Sequence, residues 1–222
     1  MSKNFSKAVI TVSAAAALAC SSFAAQAQSA QEGPWLVRVR AVHLQSANTN
    51  SDKLHTTLSS VVGKPADASI NDKWLPELDI SYFITPNIAA ELVLTYPQKQ
   101  DLSVTGVGKI GSFKHLPPTL SAQYHFSPTS MFRPYVGLGV NYTNISDVQF
   151  DANVAALKLG LKHNSWGLSA QIGADIEVAK NLYLNIDIKK VQIKTTVYSN
   201  GAGIGEFKVD PLLVGVGLGM RF

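Results

Sequence analysis

"VDPLLVGVGLGMRF", residues Val209–Phe222, is the stretch whose reading decides the fold. From Leu212 onward every second residue is bulky and apolar: Leu212, Val214, Val216, Leu218, Met220 and Phe222. Between them stand Leu213, Gly215, Gly217, Gly219 and Arg221. A half-buried strand of a soluble sheet alternates apolar with polar side chains. This one alternates large with almost nothing. One face therefore asks for an apolar surrounding, and the other looks into a space with little room.

The composition agrees. The chain of 222 residues is 46% apolar and only 15% charged, against about 25% charged in ordinary soluble domains. Its first residues read as a secretory signal over residues 1–27. Lys3 and Lys7 supply a positive start, Ala8–Ala19 a short apolar run, and Ala25-Gln26-Ala27 a cleavage site of small residues. The run is too short to cross a membrane as a helix. Cys20, the one cysteine, lies within the signal, so the mature chain, 28–222, is expected to hold neither disulfide nor cysteine metal site. Removal of the signal takes away two lysines and no acid, lowering the net charge from +4 to +2. Without a dense Lys/Arg run, nucleic acid is not an expected partner.

Working back from the C-terminus, the same period of two recurs in seven earlier segments, each bounded by turn residues. The eight are Trp35–Leu44, Leu75–Ile84, Ile88–Tyr96, Pro118–Phe126, Pro134–Thr143, Gly167–Val178, Leu182–Val197 and Val209–Phe222. Most reach the 9–11 residues that a tilted strand needs to cross a bilayer. Their connections alternate strictly. Thr85-Pro86-Asn87, Ser127–Met131 and Ala179-Lys180-Asn181 are short, whereas 45–74, 97–117, 144–166 and 198–208 are long. Short turns at one end and long loops at the other describe an up-and-down meander of the outer-membrane kind. The expected fold is all-β: an eight-stranded antiparallel transmembrane β-barrel.

Parity assigns the faces. In Ile88–Tyr96 the residues Ile88, Ala90, Leu92 and Leu94 share one side, opposite Ala89, Glu91, Val93 and Thr95. The apolar side must face lipid. No helix remains to cover it, and an eight-stranded interior is too narrow for bulky groups from every strand. Aromatics gather at the segment ends as interfacial girdles do: Trp35, Tyr124, Phe126, Phe132 and Phe222 near the short turns, Tyr96, Tyr142, Trp166 and Tyr198 near the loops. In the seventh segment Lys190, Gln192 and Lys194 follow Ile188 on the lipid side, which requires either a bulge or a strand rising above the membrane.

Four stretches carry a family resemblance: KHLPPTLSAQYHF (Lys114–Phe126), FRPYVGLGVNYT (Phe132–Thr143), SWGLSAQIGAD (Ser165–Asp175) and the terminal Val209–Phe222. Together with ITPNIAAELVLTYP (Ile84–Pro97) they closely resemble the outer-membrane protein W (OmpW) family from about Gly33 to the end, with little likeness in 45–74 and 146–162. The resemblance implies a barrel in the bacterial outer membrane with both mature termini periplasmic. It also implies a narrow lumen admitting small hydrophobic ligands, and no cofactor. Phe222 and its strand look like the signal read by the barrel-assembly machinery. Family members often carry an aromatic after the Asp-Pro of the last strand, where this chain has Leu212. The alternative function is a non-transporting barrel that anchors its loops for partner binding or envelope integrity.

Arg38, Arg40, Glu77, Asp79, Glu91, Asp175, Asp187, Lys189 and Arg221 all fall on the inward parity. They form either a constriction selecting permeants or a self-neutralising brace, with Arg38 or Arg40 paired to Glu91 the favoured contact, since guanidinium grips carboxylate bidentately. The inward glycines make room for a ligand or for those arginines. Trp166 reads as a girdle residue or, with Leu58, Leu54 and Val61 of the first long loop, as an extracellular gate. His125 and Ser127 have the His-x-Ser spacing of lipid-cutting barrels but no third group to orient the base, so an enzyme is not expected. The five histidines lack metal-ligand spacing, and GVGKIG (Gly106–Gly111) lacks the strand–loop–helix setting of a phosphate loop.

Overall fold

The computed structural model describes residues 33–222; the expected signal, residues 1–27 with Cys20, lies outside them. Fifteen strands are formed among the described residues. Eight close into a barrel: β1 (Trp35–Gln45), β4 (Lys73–Phe83), β5 (Ile88–Leu94), β8 (Thr119–His125), β9 (Phe132–Phe150), β11 (Asn164–Ala179), β12 (Leu182–Val191) and β15 (Leu212–Arg221). Each pairs antiparallel with its sequence neighbours, and β15 returns to β1. The ring closes on the chain ends: Trp35 and Phe222 exchange backbone hydrogen bonds of 3.1 and 2.9 Å.

Exposure follows parity. On β15, Val214, Val216 and Leu218 are exposed while Gly215, Gly219 and Arg221 are buried. Val39, Leu78, Leu92, Leu120, Leu138, Leu168 and Ile186 continue the apolar belt around the outside. At the short-turn end the belt meets exposed Trp35, Tyr82, Tyr124, Phe126, Phe132 and Phe222, and at the loop end Trp74, Tyr96 and Trp166. Tyr198 belongs to neither girdle, because its strand rises beyond the barrel.

The seven other strands build on the loop end. The long loops are structured, which their weak periodicity concealed. They hold β2 (Thr49–Asn50), β3 (Ala68–Ile70), β6 (Gln98–Val104), β7 (Gly108–Leu116), β10 (Leu159–Leu161), β13 (Lys194–Ser199) and β14 (Ala202–Lys208). The seventh segment is thus two strands, β12 and β13, broken at Gln192-Ile193, and its lysines lie above the apolar belt. β9 runs on past the barrel to pair with β7, giving the order β9-β7-β6-β3, while β10-β13-β14-β2 form a second sheet. The sheets meet where Ile145 N–H donates to His163 O at 2.6 Å. Between them lies an apolar interior of Leu54, Ile70, Leu102, Phe113, Leu161, Phe207 and their neighbours.

A helix, α1 (Asp52–Val62), and a 3₁₀ turn at Ala152–Leu157 complete this upper layer. Ser51 caps α1 by accepting from Leu54 N–H at 3.3 Å. Gly63 ends it in the left-handed region, at φ 78. Leu54, Leu58 and Val62, spaced by four, seat the helix on the apolar interior. Val61 points to solvent instead.

Candidate functional site

Two layers fill the inside of the molecule: charge within the barrel, hydrocarbon above it. The charged layer follows from strand register. Arg38 and Arg40 on β1 stand beside Asp79 and Glu77 on β4, and beside Gly219 and Gly217 on β15. The glycine side leaves the space that the guanidinium stems occupy. A Cβ at Gly217 would lie 2.8 Å from Arg40 Cγ, and one at Gly219 3.0 Å from Arg38 Cγ.

Arg38 reaches across the lumen to Asp175 with two bonds, Nε to Oδ1 at 2.9 Å and Nη2 to Oδ2 at 2.6 Å. Its Nη1 donates to Ser81 Oγ at 2.8 Å and lies 3.5 Å from Glu91. Arg40 Nη2 is 2.5 Å from Asp79 and 3.1 Å from Glu77, and its Nη1 is 3.4 Å from Asp187. Lys189 Nζ approaches Glu77 at 3.4 Å. Tyr135 donates its hydroxyl to Asp187 at 2.9 Å.

Every expected lumen residue, Arg38, Arg40, Glu91, Asp175 and Asp187, is therefore buried in one network. The favoured pairing is present as two looser contacts, Glu91 lying 3.5 Å from Arg38 and 3.9 Å from Arg40. The bidentate contact belongs to Arg38 and Asp175. Glu91 is held chiefly by amides, Gln123 Nε2 at 2.7 Å and Gln171 Nε2 at 2.9 Å. Sequence reasoning missed Gln123, Gln171, Tyr135 and Asn185, although all four lie on the inward parity. Polar uncharged side chains carry no signal of their own in a period-two pattern.

Below the network, toward the short turns, rings and guanidinium groups fill the lumen. Arg221 lies over Phe83, with Cζ 4.0 Å from the ring centre, and His125 packs between Phe83 and Tyr135. The recess left among Leu36, Phe83, His125, Arg133, Tyr183 and Arg221 measures about 10 Å³, roughly the space of one water. His125 Nε2 meets Gln123 Oε1 at 3.2 Å. Among the described residues no hydrogen bond joins His125 to Ser127.

Above the network the interior turns apolar, through Val42, Leu44 and Leu75 into the larger cluster under α1. Leu58 packs on that cluster. Trp166 does not. It is 70% exposed on the outer surface, its ring 4.9 Å from that of Tyr142. An open groove of about 240 Å³ beside it is lined by polar residues, Lys162, Asn164, Ser165, Lys194 and Thr195 among them. His115, at the edge of the apolar cluster, is 3% exposed, and its burial pushes the imidazole down to about 4.

An apolar outer belt edged by aromatics, around a charged interior and a closed ring of strands, defines an integral β-barrel of a bacterial outer membrane. Comparison with known proteins gives the family. The sequence profile of the OmpW family matches residues 31–222, and the chain belongs to that family. It is 36% identical to an uncharacterized outer-membrane protein, y4mB, of Sinorhizobium fredii, covering 94% of this chain and 93% of that one. It is 33% identical to outer membrane protein W of Vibrio cholerae, covering 86% and 90%. Its identity with the dibenzothiophene metabolism operon protein PahQ of Pseudomonas aeruginosa is 31%, covering 87% and 90%. Among solved structures, the outer membrane protein OprG of Pseudomonas aeruginosa superposes with a TM-score of 0.71 at 26% identity, covering 86% of this chain and 97% of that one.

Proposed function

We propose that the protein carries small hydrophobic molecules across the outermost layer of the outer membrane, taking them into the apolar interior at the loop end and releasing them sideways into the bilayer. The observation that carries this reading is the stacking of a buried apolar cluster directly on a buried ion-paired layer. Passing straight down the lumen would separate those pairs, leaving buried charges uncompensated at several kcal/mol each. The apolar layer offers no such barrier.

The side exit is supported by a break in the wall. Pairing of β5 with β8 ends at Val93 and Thr119. Beyond it stand Tyr96-Pro97 and Pro117-Pro118, and proline has no N–H to donate to a ladder. Side chains serve freed carbonyls instead: Asn141 Nδ2 donates to Pro117 O at 3.1 Å, and Gln98 Nε2 to Tyr96 O at 3.0 Å. Such a seam opens with fewer backbone bonds broken than the paired wall below it. The name of the relative PahQ, from a dibenzothiophene metabolism operon, suits an apolar aromatic cargo.

In this reading the loop end faces outward and the short turns, with both termini, face the periplasm. The last strand with Phe222 is the feature that the assembly machinery would recognise. The bracing role falls to the Arg38–Asp175 and Arg40–Asp79 pairs.

The test is transfer of naphthalene into vesicles with a lipopolysaccharide outer leaflet and a phospholipid inner leaflet, alongside single-channel conductance. The protein is expected to speed transfer while ion conductance stays small. No acceleration over protein-free vesicles would defeat the proposal. It would leave the second reading, a barrel that only anchors its upper layer, which the close packing of α1 on the apolar cluster favours.

A further inference from the structure

The upper layer is a ring of strands with one seam unlike the others. β9, β7, β6 and β3 form one side, and β2, β14, β13 and β10 the other. Where β10 meets β9 the chain makes a backbone bond, Ile145 N–H to His163 O. Where β2 meets β3, no backbone–backbone hydrogen bond is made among the described residues. Two asparagine side chains take its place. Asn50 Oδ1 accepts from Ala68 N–H at 3.0 Å and its Nδ2 donates to Ala68 O at 2.9 Å. Asn48 repeats the pattern on Ile70, at 2.8 and 3.2 Å. Each carboxamide imitates a peptide group and closes one rung.

The seam borders the apolar interior. Ala66, Ala68 and Ile70 of its β3 side are buried in the cluster that also holds Leu54, Leu102 and Phe207. Asn48 and Asn50 are only half-buried, so water competes for their amides. The chain that links the two sides, 51–67, carries α1. The start of the helix is fastened to the β14 side: Ser51 N–H donates to Glu206 O at 3.0 Å, and Lys53 Nζ to Gly203 O at 2.6 Å. The chain turns back toward β3 at Gly63, which stands in the left-handed region with open space around it. β3 itself is three residues long and is paired by backbone only to β6.

From this arrangement we infer that the β2–β3 seam, stitched by Asn48 and Asn50 beneath α1, is the way in for apolar ligands to the interior of the upper layer. The inference rests on the transport reading and adds the place of admission. Parting the seam exchanges these four side-chain bonds, together with the flanking contacts Ser46 N–H to Asp72 Oδ1 (3.0 Å), His55 Nδ1 with Asp67 Oδ1 (2.8 Å) and Ala66 N–H to Ser59 Oγ (3.0 Å), for bonds to water and leaves every backbone ladder intact. β3 moves together with β6, to which its backbone is paired, about the Gly63 turn while α1 stays with β14. The opening leads onto Ala66, Ala68, Ile70 and Leu54, buried apolar surface that a hydrocarbon can wet and that carries no charge to hold a polar molecule.

The described chain has no cysteine, so the seam can be closed at will. An Asn50→Cys, Ala68→Cys pair, joined by a short thiol crosslinker that reductant cleaves, is expected to cut naphthalene transfer roughly tenfold and to regain it on reduction. The Asn48→Ala, Asn50→Ala variant, its folding checked by heat-modifiable migration, is expected to transfer at least as fast as the parent. Undiminished transfer through the crosslinked seam overturns the inference while leaving the transport reading standing. Absent transfer in the parent protein defeats that reading alone, and the seam is then judged by hydrogen exchange. The amides of Ala68 and Ile70 are expected to exchange roughly tenfold faster than those of the β6–β7 ladder. Equal protection overturns the inference whatever the vesicles show.

Discussion

Arg38 and Asp175, 137 residues apart in the chain, meet across the lumen as a two-pronged ion pair at 2.9 and 2.6 Å. Both are shut away from water. The pair joins strands that are not neighbours in the barrel, so it ties opposite walls together where backbone hydrogen bonds have no reach. The buried layer of which it is part spans the interior of the barrel.

Removal of one partner therefore leaves a buried charge unmatched. Asp175→Ala is expected to lower stability by about 3–5 kcal/mol, and the joint change Arg38→Met with Asp175→Leu to recover most of that loss. Urea titration in detergent micelles measures both. An unchanged midpoint for Asp175→Ala would show that the pair braces nothing.

Gly217 is bare because Arg40 fills the space before it. A Cβ there would stand 2.7 Å from Arg40 Cα, backbone that has nowhere to move. Gly217→Val is expected to cost about 1–3 kcal/mol or more by overpacking and to reduce the heat-modifiable folded band on gels. Gly203→Ala, whose nearest neighbour would be 3.6 Å away, is expected to change stability by less than about 0.5 kcal/mol.

His115 gives the upper layer an acid sensitivity. Burial holds its imidazole at about 4, below the ordinary 6.5. Its depressed folded value means that the unfolded chain takes up the proton first as pH falls. Stability is full above pH 6.5, declines between 6.5 and about 4, and is flat below, with a total loss of up to about 3 kcal/mol from this group. His115→Gln is expected to flatten that decline, as read by hydrogen exchange of the β6–β7 hairpin between pH 7 and 4. An NMR titration that places the His115 midpoint near 6.5 would remove the effect.

Trp166 lies on the outer wall beside Tyr142. With Trp35 and Trp74 replaced by phenylalanine, its fluorescence is expected to be quenched by brominated lipid at interfacial depth and to stay unchanged on addition of naphthalene. Quenching by naphthalene and not by lipid would place the ring over the mouth, as a gate.

The barrel was legible in the sequence because successive side chains of a strand alternate between its two faces. Val214, Val216 and Leu218 against Gly215, Gly217 and Gly219 fix which face meets lipid, and eight such segments joined alternately by short and long connections fix the meander. The inward position of Arg38, Arg40, Glu91, Asp175 and Asp187 follows from the same count. Their partners follow only in part: Arg38 meets Glu91 at 3.5 Å, as expected, but not with its fork. Parity states a face, while contact across the lumen depends on tilt and register between strands distant in the chain, and so Asp175 rather than Glu91 takes the fork of Arg38. Trp74 shows the limit of a segment boundary: one residue outside the expected Leu75–Ile84, it escaped the girdle.

The long loops were opaque for another reason. β2, β3 and β10 are two or three residues long, too short for any period to register, and α1 declares itself only through Leu54, Leu58 and Val62 once the cluster beneath them exists. Sequence alone thus determined the wall, since every position in it answers to one local question, lipid or lumen. The tertiary structure decided what fills the wall and what roofs it. Ion pairs, amide stitches and the apolar interior are agreements between residues far apart in the chain, and only the closed ring brings them within reach.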